Sequence, residues 1–391
     1  MKRIYLDYNA TTPIDPRVWK AMQASVELYP ANPSSIHTPG QEARIFTESC
    51  RETIAGALNS NPAEIVFTGS GSESDNLALL GVMRGCTASG RRHLIVSGIE
   101  HPAVEKTAKA LEQEGFHVDR LAVDKHGFID FPQLESLITP ATVLVSVIHA
   151  NNEIGTIQDL TRIAELCRKN GALLHTDAVQ SFGKVPINVR QTGIDLLSAS
   201  AHKIYGPKGC GFLFVRKGVQ LSPVLFGGKH ELGLRPGTES IHNLAGLAEA
   251  SRIMELERES DNQRISSLKS RLVSGIAEIP EIIINSPEKN CLSGTLNVSI
   301  RHVEGESLLA ELDLLGIAVS TGSACASGSS KPSPILTAIG LAPDYAQGSL
   351  RISLGRWTEA EEIDCFLSVL PGIVGRLRRM SALSGREDMN R

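Results

Sequence analysis

The chain has 391 residues, of which 41% are hydrophobic and 21% charged, and its formal net charge is −4. That length predicts about two domains at ~100–200 residues each, and the charge balance argues against an overall basic field that would draw the protein to nucleic acid or an anionic membrane. No apolar run reaches the ~18 residues of a membrane-spanning helix, so small molecules and proteins are the expected partners.

The chain enters strand-like sequence at Met1-Lys2-Arg3-Ile4-Tyr5-Leu6-Asp7, without an apolar signal core. The 7 cysteines form neither a disulfide ladder nor a CxxC pair. A cytoplasmic location is expected, and no metal site. Up to about residue 258, short apolar runs alternate with helical patterns. Strands are predicted over 64–68, 93–97, 142–148, 172–176, 195–200 and 211–215, and helices over 41–58, 74–83, 102–114 and 160–169. This alternation predicts an α/β fold with a mainly parallel sheet covered on both faces. Ligands gather at the carboxyl ends of such strands. A charged helical stretch over 253–273 then leads into strands predicted at 281–285, 295–300 and 349–354, with helices at 306–315, 333–339 and 358–370. That part reads as a smaller α+β domain.

Several segments have the composition of sites. Thr68-Gly69-Ser70-Gly71-Ser72-Glu73 follows a strand and opens a helix. A Gly-rich turn at a helix N-terminus suits a phosphate, with Gly71 and Ser72 in the turn; a plain capped turn reads the same way. His101 follows the strand over 93–97 and could stack on a flat ring and shuttle protons, or be structural. Asn152 stands in a loop Asn pair, usually turn chemistry. Asp177, at a strand tip, could pair with a protonated pyridine nitrogen or cap a helix, with Gln180 three residues on. In Ser200-Ala201-His202-Lys203-Ile204-Tyr205-Gly206-Pro207, a lysine ends a strand among small residues. Desolvation there would free its amine for a Schiff base; a surface lysine is the alternative. Arg351, in a strand-like run, could fork onto a carboxylate or face solvent. Cys50, Cys167 and Cys365 fall on helical patterns as small hydrophobes. Cys325 stands in a Gly/Ser-rich loop, over about 321–333, where reactive thiols occur.

Taken together these residues resemble the group I cysteine desulfurases, class V members of the fold type I pyridoxal-phosphate enzymes. The resemblance runs from Tyr5-Leu6-Asp7-Tyr8-Asn9-Ala10-Thr11-Thr12-Pro13 to Arg351-Ile352-Ser353-Leu354-Gly355-Arg356, with Ser200–Gly209 like the family's cofactor-lysine segment and Ser323-Ala324-Cys325 like its catalytic-cysteine segment. It implies a large domain over 14–258 with a seven-stranded sheet, and a small domain of 1–13 and 259–391 that carries the cysteine loop. It implies pyridoxal 5'-phosphate as cofactor and L-cysteine as substrate. Lys203, His101 and Cys325 would be catalytic. Gly71, Ser72, His101, Asn152, Asp177, Gln180, Ser200, His202, Lys203 and Thr238 would bind the cofactor, Thr238 reaching the phosphate of a neighbouring subunit in a homodimer. Asn152 and Arg351 would bind the substrate carboxylate. Sulfur would pass to Cys325 as a persulfide, then to an acceptor or iron–sulfur scaffold protein, or toward thiolation of transfer RNA or cofactors. A selenocysteine lyase and an aminotransferase of the same fold share most of these residues. Leu232 and Lys331 stand where the family carries Arg and Glu.

Overall fold

A computed structural model describes residues 3–86, 90–322 and 332–380. After a short strand, β1 (Ile4–Tyr5), seven strands build one sheet: β2 (Ile65–Thr68), β3 (His93–Ser97), β4 (His117–Leu121), β5 (Thr142–Ser146), β6 (Leu173–Asp177), β7 (Leu196–Ser200) and β8 (Gly211–Val215). Their spatial order is β2-β8-β7-β6-β5-β3-β4. The run from β7 through β4 is parallel, and β8 runs against both of its neighbours. Successive side chains on a strand point to opposite faces. Leu94, Leu144, Leu196 and Leu213 therefore pack into one core with the helix Gly71–Gly85. Ile95, Val145, Leu197 and Phe214 pack into the other with Ile54, Leu58, Ile163 and Leu247. Helices on both faces leave the central strands buried, which is why they read as unbroken apolar runs.

A second sheet holds β9 (Ile282–Ile284), β10 (Thr295–Ile300) and, beyond the short β11 (Ile317–Ala318), β12 (Ser349–Ser353), in the antiparallel order β12-β10-β9. β11 pairs in parallel with β1. Leu296, Val298, Leu350 and Ile352 share a core with Ile363, Phe366 and Leu370 of the helix Ala360–Met380, and Ile4 and Leu6 join it. The helix expected over 253–273 is longer, Ile241–Ile276. Its first half packs Leu244, Leu247 and Met254 into the large-sheet core, and its second half packs Ile265, Leu272 and Ile276 into the other. Among the described residues no helix is long and apolar enough to cross a membrane.

Candidate active site

The carboxyl ends of β2, β3, β5, β6 and β7 share one edge of the large sheet. A cleft of about 840 Å³ opens there, lined by Gly71, Ser72, His101, Asn152, Asp177, Gln180, Ser200, His202, Lys203 and Arg351. Ten sequence-predicted residues thus meet in one place. The remaining two do not line it. Thr238 is exposed, although Arg235 ties its segment to the Gly-rich turn through Glu73 at 2.9 Å. Cys325 lies outside the described residues.

Each side chain is held by local structure. Ser70 caps the helix that begins at Gly71, accepting from the Glu73 amide. A Cβ at Gly71 would stand 2.4 Å from Val179 Cγ2, so only glycine lets the helix begin against that wall. This N-terminus, with Ser72, Ser200 and His202 around it, offers donors that could hold a dianionic phosphate. His101 caps the helix Pro102–Gln113, its Nδ1 accepting from the Ala103 amide at 3.1 Å. That bond leaves the ring proton on Nε2. Burial lowers the His101 pKa, against the pull of Asp177. Lys203 closes a short turn after β7, and its Nζ donates to the Asn9 carbonyl at 2.5 Å and to the Ala10 carbonyl at 2.8 Å.

Asp177 ends β6 with Oδ1 accepting from the Val179 amide at 2.9 Å. Burial raises its pKa, while His101, that amide and Lys203 oppose the rise. Asp75 is buried beside it and pushed well above the usual carboxylate range by desolvation and then by the charge of Asp177. Of the two acids Asp177 is the one that His101 and Lys203 face, and both act against the rise that burial causes there. His175 approaches Asp75 at 3.6 Å, but this is contact between neutral groups, because burial pushes His175 down to about 3. The ring is held between Ser146 and Ser198.

Gln180 donates from Nε2 to the Asn9 carbonyl at 2.8 Å and accepts on Oε1 from Lys184 Nζ at 2.8 Å. Lys184 thereby fixes which end of the amide carries the donors. Desolvation lowers the Lys184 pKa to about 7, with the positive charge of Lys203 adding to it. Arg351 is buried, contrary to the solvent-facing alternative. It donates to Asp7 Oδ1 at 2.8 Å and to the Asn152 carbonyl at 3.2 Å, and its Nε has no partner among the described residues. An arginine placed so, with donor capacity left over beside a cleft, suits a small carboxylate.

Sequence reasoning missed Asn9, Asp75 and Lys184. Asn9 ties the halves of the molecule together: its amide reaches Thr295 Oγ1 at 2.8 Å and the Asn152 carbonyl at 3.1 Å, and its N–H donates to Ser353 Oγ. It lies within the N-terminal stretch that carries the resemblance, the one signal available for it. The ends of the Cys325 loop can also be placed. Ser320 pairs with Arg351 through the backbone, and Ser333 Oγ donates to Glu153 Oε2 at 2.6 Å. A Cβ on Gly322 would stand 2.9 Å from that same oxygen. Both stems therefore flank the cleft wall at Asn152-Glu153.

Residues 4–366 match the family described as Aminotransferase class-V. The chain is 42% identical over 383 residues to "Cysteine desulfurase IscS" of Dictyoglomus turgidum, covering 97% of both chains. It is 45% identical over 385 residues to the protein of that name from Shewanella woodyi, covering 97% of this chain and 95% of the other. Among solved structures it resembles a "NifS-like protein" with TM-score 0.90 and 37% identity, covering 96% of this chain and 100% of that one. It also resembles "SspA in complex with cysteine" with TM-score 0.80 and 36% identity, covering 91% and 100%.

Proposed function

This chain belongs to the class V aminotransferase family and is a cysteine desulfurase, and from that premise we propose that pyridoxal 5'-phosphate occupies the cleft, with L-cysteine as substrate. The single observation that carries the proposal is the convergence of Lys203, Asp177, His101 and a phosphate-type donor set on one sheet edge. The residues present fit the group: the Asp177 carboxylate would pair with a protonated pyridine nitrogen, and the helix N-terminus at Gly71 would take the phosphate with Ser72, Ser200 and His202. When bound, the cofactor supplies an electron sink for charge that develops next to the carbon bearing sulfur.

The chain supplies the rest. Lys203 would hold the cofactor through Nζ and, once released, move the proton at the substrate Cα. His101, with Nδ1 tied to the Ala103 amide, would present Nε2 to the cleft to hold or move a proton there. Gln180, turned by Lys184, would offer Nε2 to the cofactor's phenolic oxygen. Arg351 and Asn152 would bind the substrate carboxylate, on the wall that the loop stems at Gly322 and Ser333 flank. The Cys325 thiolate takes the sulfur: an S–S bond forms as the substrate Cβ–S bond breaks, and the electron pair left on carbon takes up a proton to give alanine. Thiolate is the best nucleophile a protein offers for this. Cys325 then passes the persulfide sulfur to an acceptor protein of iron–sulfur cluster assembly or of thiolation, in the cytoplasm.

The position of Thr238, exposed and outside the cleft, supports a homodimer in which it completes the neighbouring subunit's phosphate site. The two cores support a division into 14–258 and 1–13 with 259–391, bridged by the helix Ile241–Ile276. The experiment that tests the site is Lys203→Ala. It should remove both the visible absorbance of lysine-bound cofactor and alanine production while leaving the chain folded. A variant that keeps the absorbance takes Lys203 out of the mechanism.

A further inference from the structure

At the opposite edge of the large sheet from the cleft, two histidines and an aspartate converge. His93 and His117 open β3 and β4 and are register partners across that parallel pair. Asp119 lies two residues after His117, on the same face of the edge strand. His93 Nε2 stands 3.1 Å from Asp119 Oδ2, and His117 Nε2 stands 3.4 Å from the same oxygen. The donor atoms of the three residues all lie within 4.8 Å of one another.

We propose that His93, His117 and Asp119 form a divalent-cation site of the Zn²⁺ class, with water in the fourth position. Tetrahedral Zn²⁺ takes imidazole nitrogen and carboxylate oxygen at ~2.0–2.2 Å, so neighbouring ligand atoms stand about 3.3–3.5 Å apart. The two contacts to Asp119 are close to that spacing before any ion is added. Ring orientation is also set. His93 Nδ1 is bonded to Thr142 Oγ1 at 2.9 Å, and that oxygen accepts the Thr139 amide, so Nε2 is the nitrogen presented to Asp119. Ligating histidines are characteristically held through the other ring nitrogen in this way. The carboxylate has no lysine or arginine partner among the described residues; its contacts are the two imidazoles. Nearby Arg120 is engaged with Glu105 and Glu112 instead. His117 and Asp119 are accessible from solvent, which gives an ion its entry path, while His93 is buried and bonded to Thr142.

Such an ion joins β4, the edge strand, to β3 and stabilises the folded state by mass action. The site lies at the amino ends of the strands, away from the cleft, so its failure and the failure of the desulfurase mechanism are distinguishable. The test uses the cofactor-loaded enzyme, freed of metal by chelator and titrated with Zn²⁺ by calorimetry, alongside His117→Ala and Asp119→Asn. Both substitutions are at solvent-accessible positions, and cofactor absorbance, alanine production and the unfolding midpoint in chelator should match wild type. Wild type should bind one Zn²⁺ per chain that each variant binds at least ~10-fold more weakly, since loss of a mere supporting hydrogen bond already costs ~10–100-fold. Zn²⁺ should raise the unfolding midpoint of wild type alone. Isotherms that superimpose in all three proteins, any binding to thiols included, overturn the proposal, as does a loss confined to one of the two variants.

Discussion

Glu100 stands directly behind His101, and Glu100→Gln tests how dry the wall of the cleft is. Glu100 Oε1 accepts from Ser97 Oγ at 2.5 Å and from the Ile148 amide at 2.7 Å, while the buried Oε2 has no hydrogen-bond partner among the described residues. Desolvation raises its pKa from 4.5 to about 8, with those hydrogen bonds opposing the rise. Folding therefore takes up a proton at this site between pH 4.5 and 8. Stability contributed by the protonated form is present below 4.5 and is lost as pH rises through that window. At ~1.36 kcal/mol per pH unit the loss approaches ~5 kcal/mol, an upper bound because a buried acid recovers some solvation by relaxing. Gln keeps the acceptor oxygen and the shape of the protonated acid but cannot titrate. The assay is urea unfolding of both proteins from pH 4.5 to 9. The variant should match wild type at the acid end and pull ahead steadily toward pH 8, by ~2–5 kcal/mol at the plateau. A difference that stays flat across the range would show that Glu100 is solvated or already charged, and the reasoning would fail.

Two further outcomes follow from the site. Asp177→Asn should bind the cofactor but turn over ~10²–10³-fold more slowly, as expected for loss of one strong electrostatic contact; near-native turnover would reduce Asp177 to a turn residue that accepts the Val179 amide. Lys184→Met removes a buried amine with pKa about 7, so wild type should gain stability as pH rises from 7 toward 10.5 while the variant does not. The variant should also shift the pH at which the cofactor's visible band changes, because Gln180 is no longer turned; an unchanged titration would show that Lys184 does not act through Gln180.

The sequence made some of this legible and hid the rest for identifiable reasons. β3, β8 and β10 appear at their predicted bounds because buried strands are unbroken apolar runs between turn residues. The edge strand β4, His117-Val118-Asp119-Arg120-Leu121, escaped because half of it faces solvent and its apolar residues are too few to announce a strand. The helix Ile241–Ile276 was read from 253 because its first half is small and apolar, Leu244-Ala245-Gly246-Leu247-Ala248, and its charged pattern starts later. Lys203, Asp177 and His101 were legible because each ends or follows a strand with unusual neighbours. Asp75 and Lys184 were not, since an acid or a lysine inside a helical or loop pattern reads as exposed until the fold buries it. Asn9 was hidden for another reason: its role is to join segments about 140 to 340 residues away, which no local pattern encodes.

Leu232 shows how a departure from a family pattern can matter outside the cleft. It is largely exposed and adopts a left-handed backbone, φ 60°, next to Glu231 at φ 47°. Glu231 is buried and bonded twice to Arg51 at 2.8 Å and to the Phe67 amide at 2.7 Å. That clamp holds the turn and leaves the Leu232 side chain at the surface, outside the cleft.

The central claim is that sulfur from L-cysteine comes to rest on one residue, Cys325. A brief pulse of L-cysteine on the purified enzyme, followed by alkylation and peptide mass spectrometry, tests it directly. One added sulfur should appear on the peptide that contains Cys325 and on no peptide containing Cys50, Cys167 or Cys365. Cys325→Ala should bind the cofactor normally and carry none. Sulfur found on another cysteine, or alanine released at the native rate by Cys325→Ala, would contradict the account.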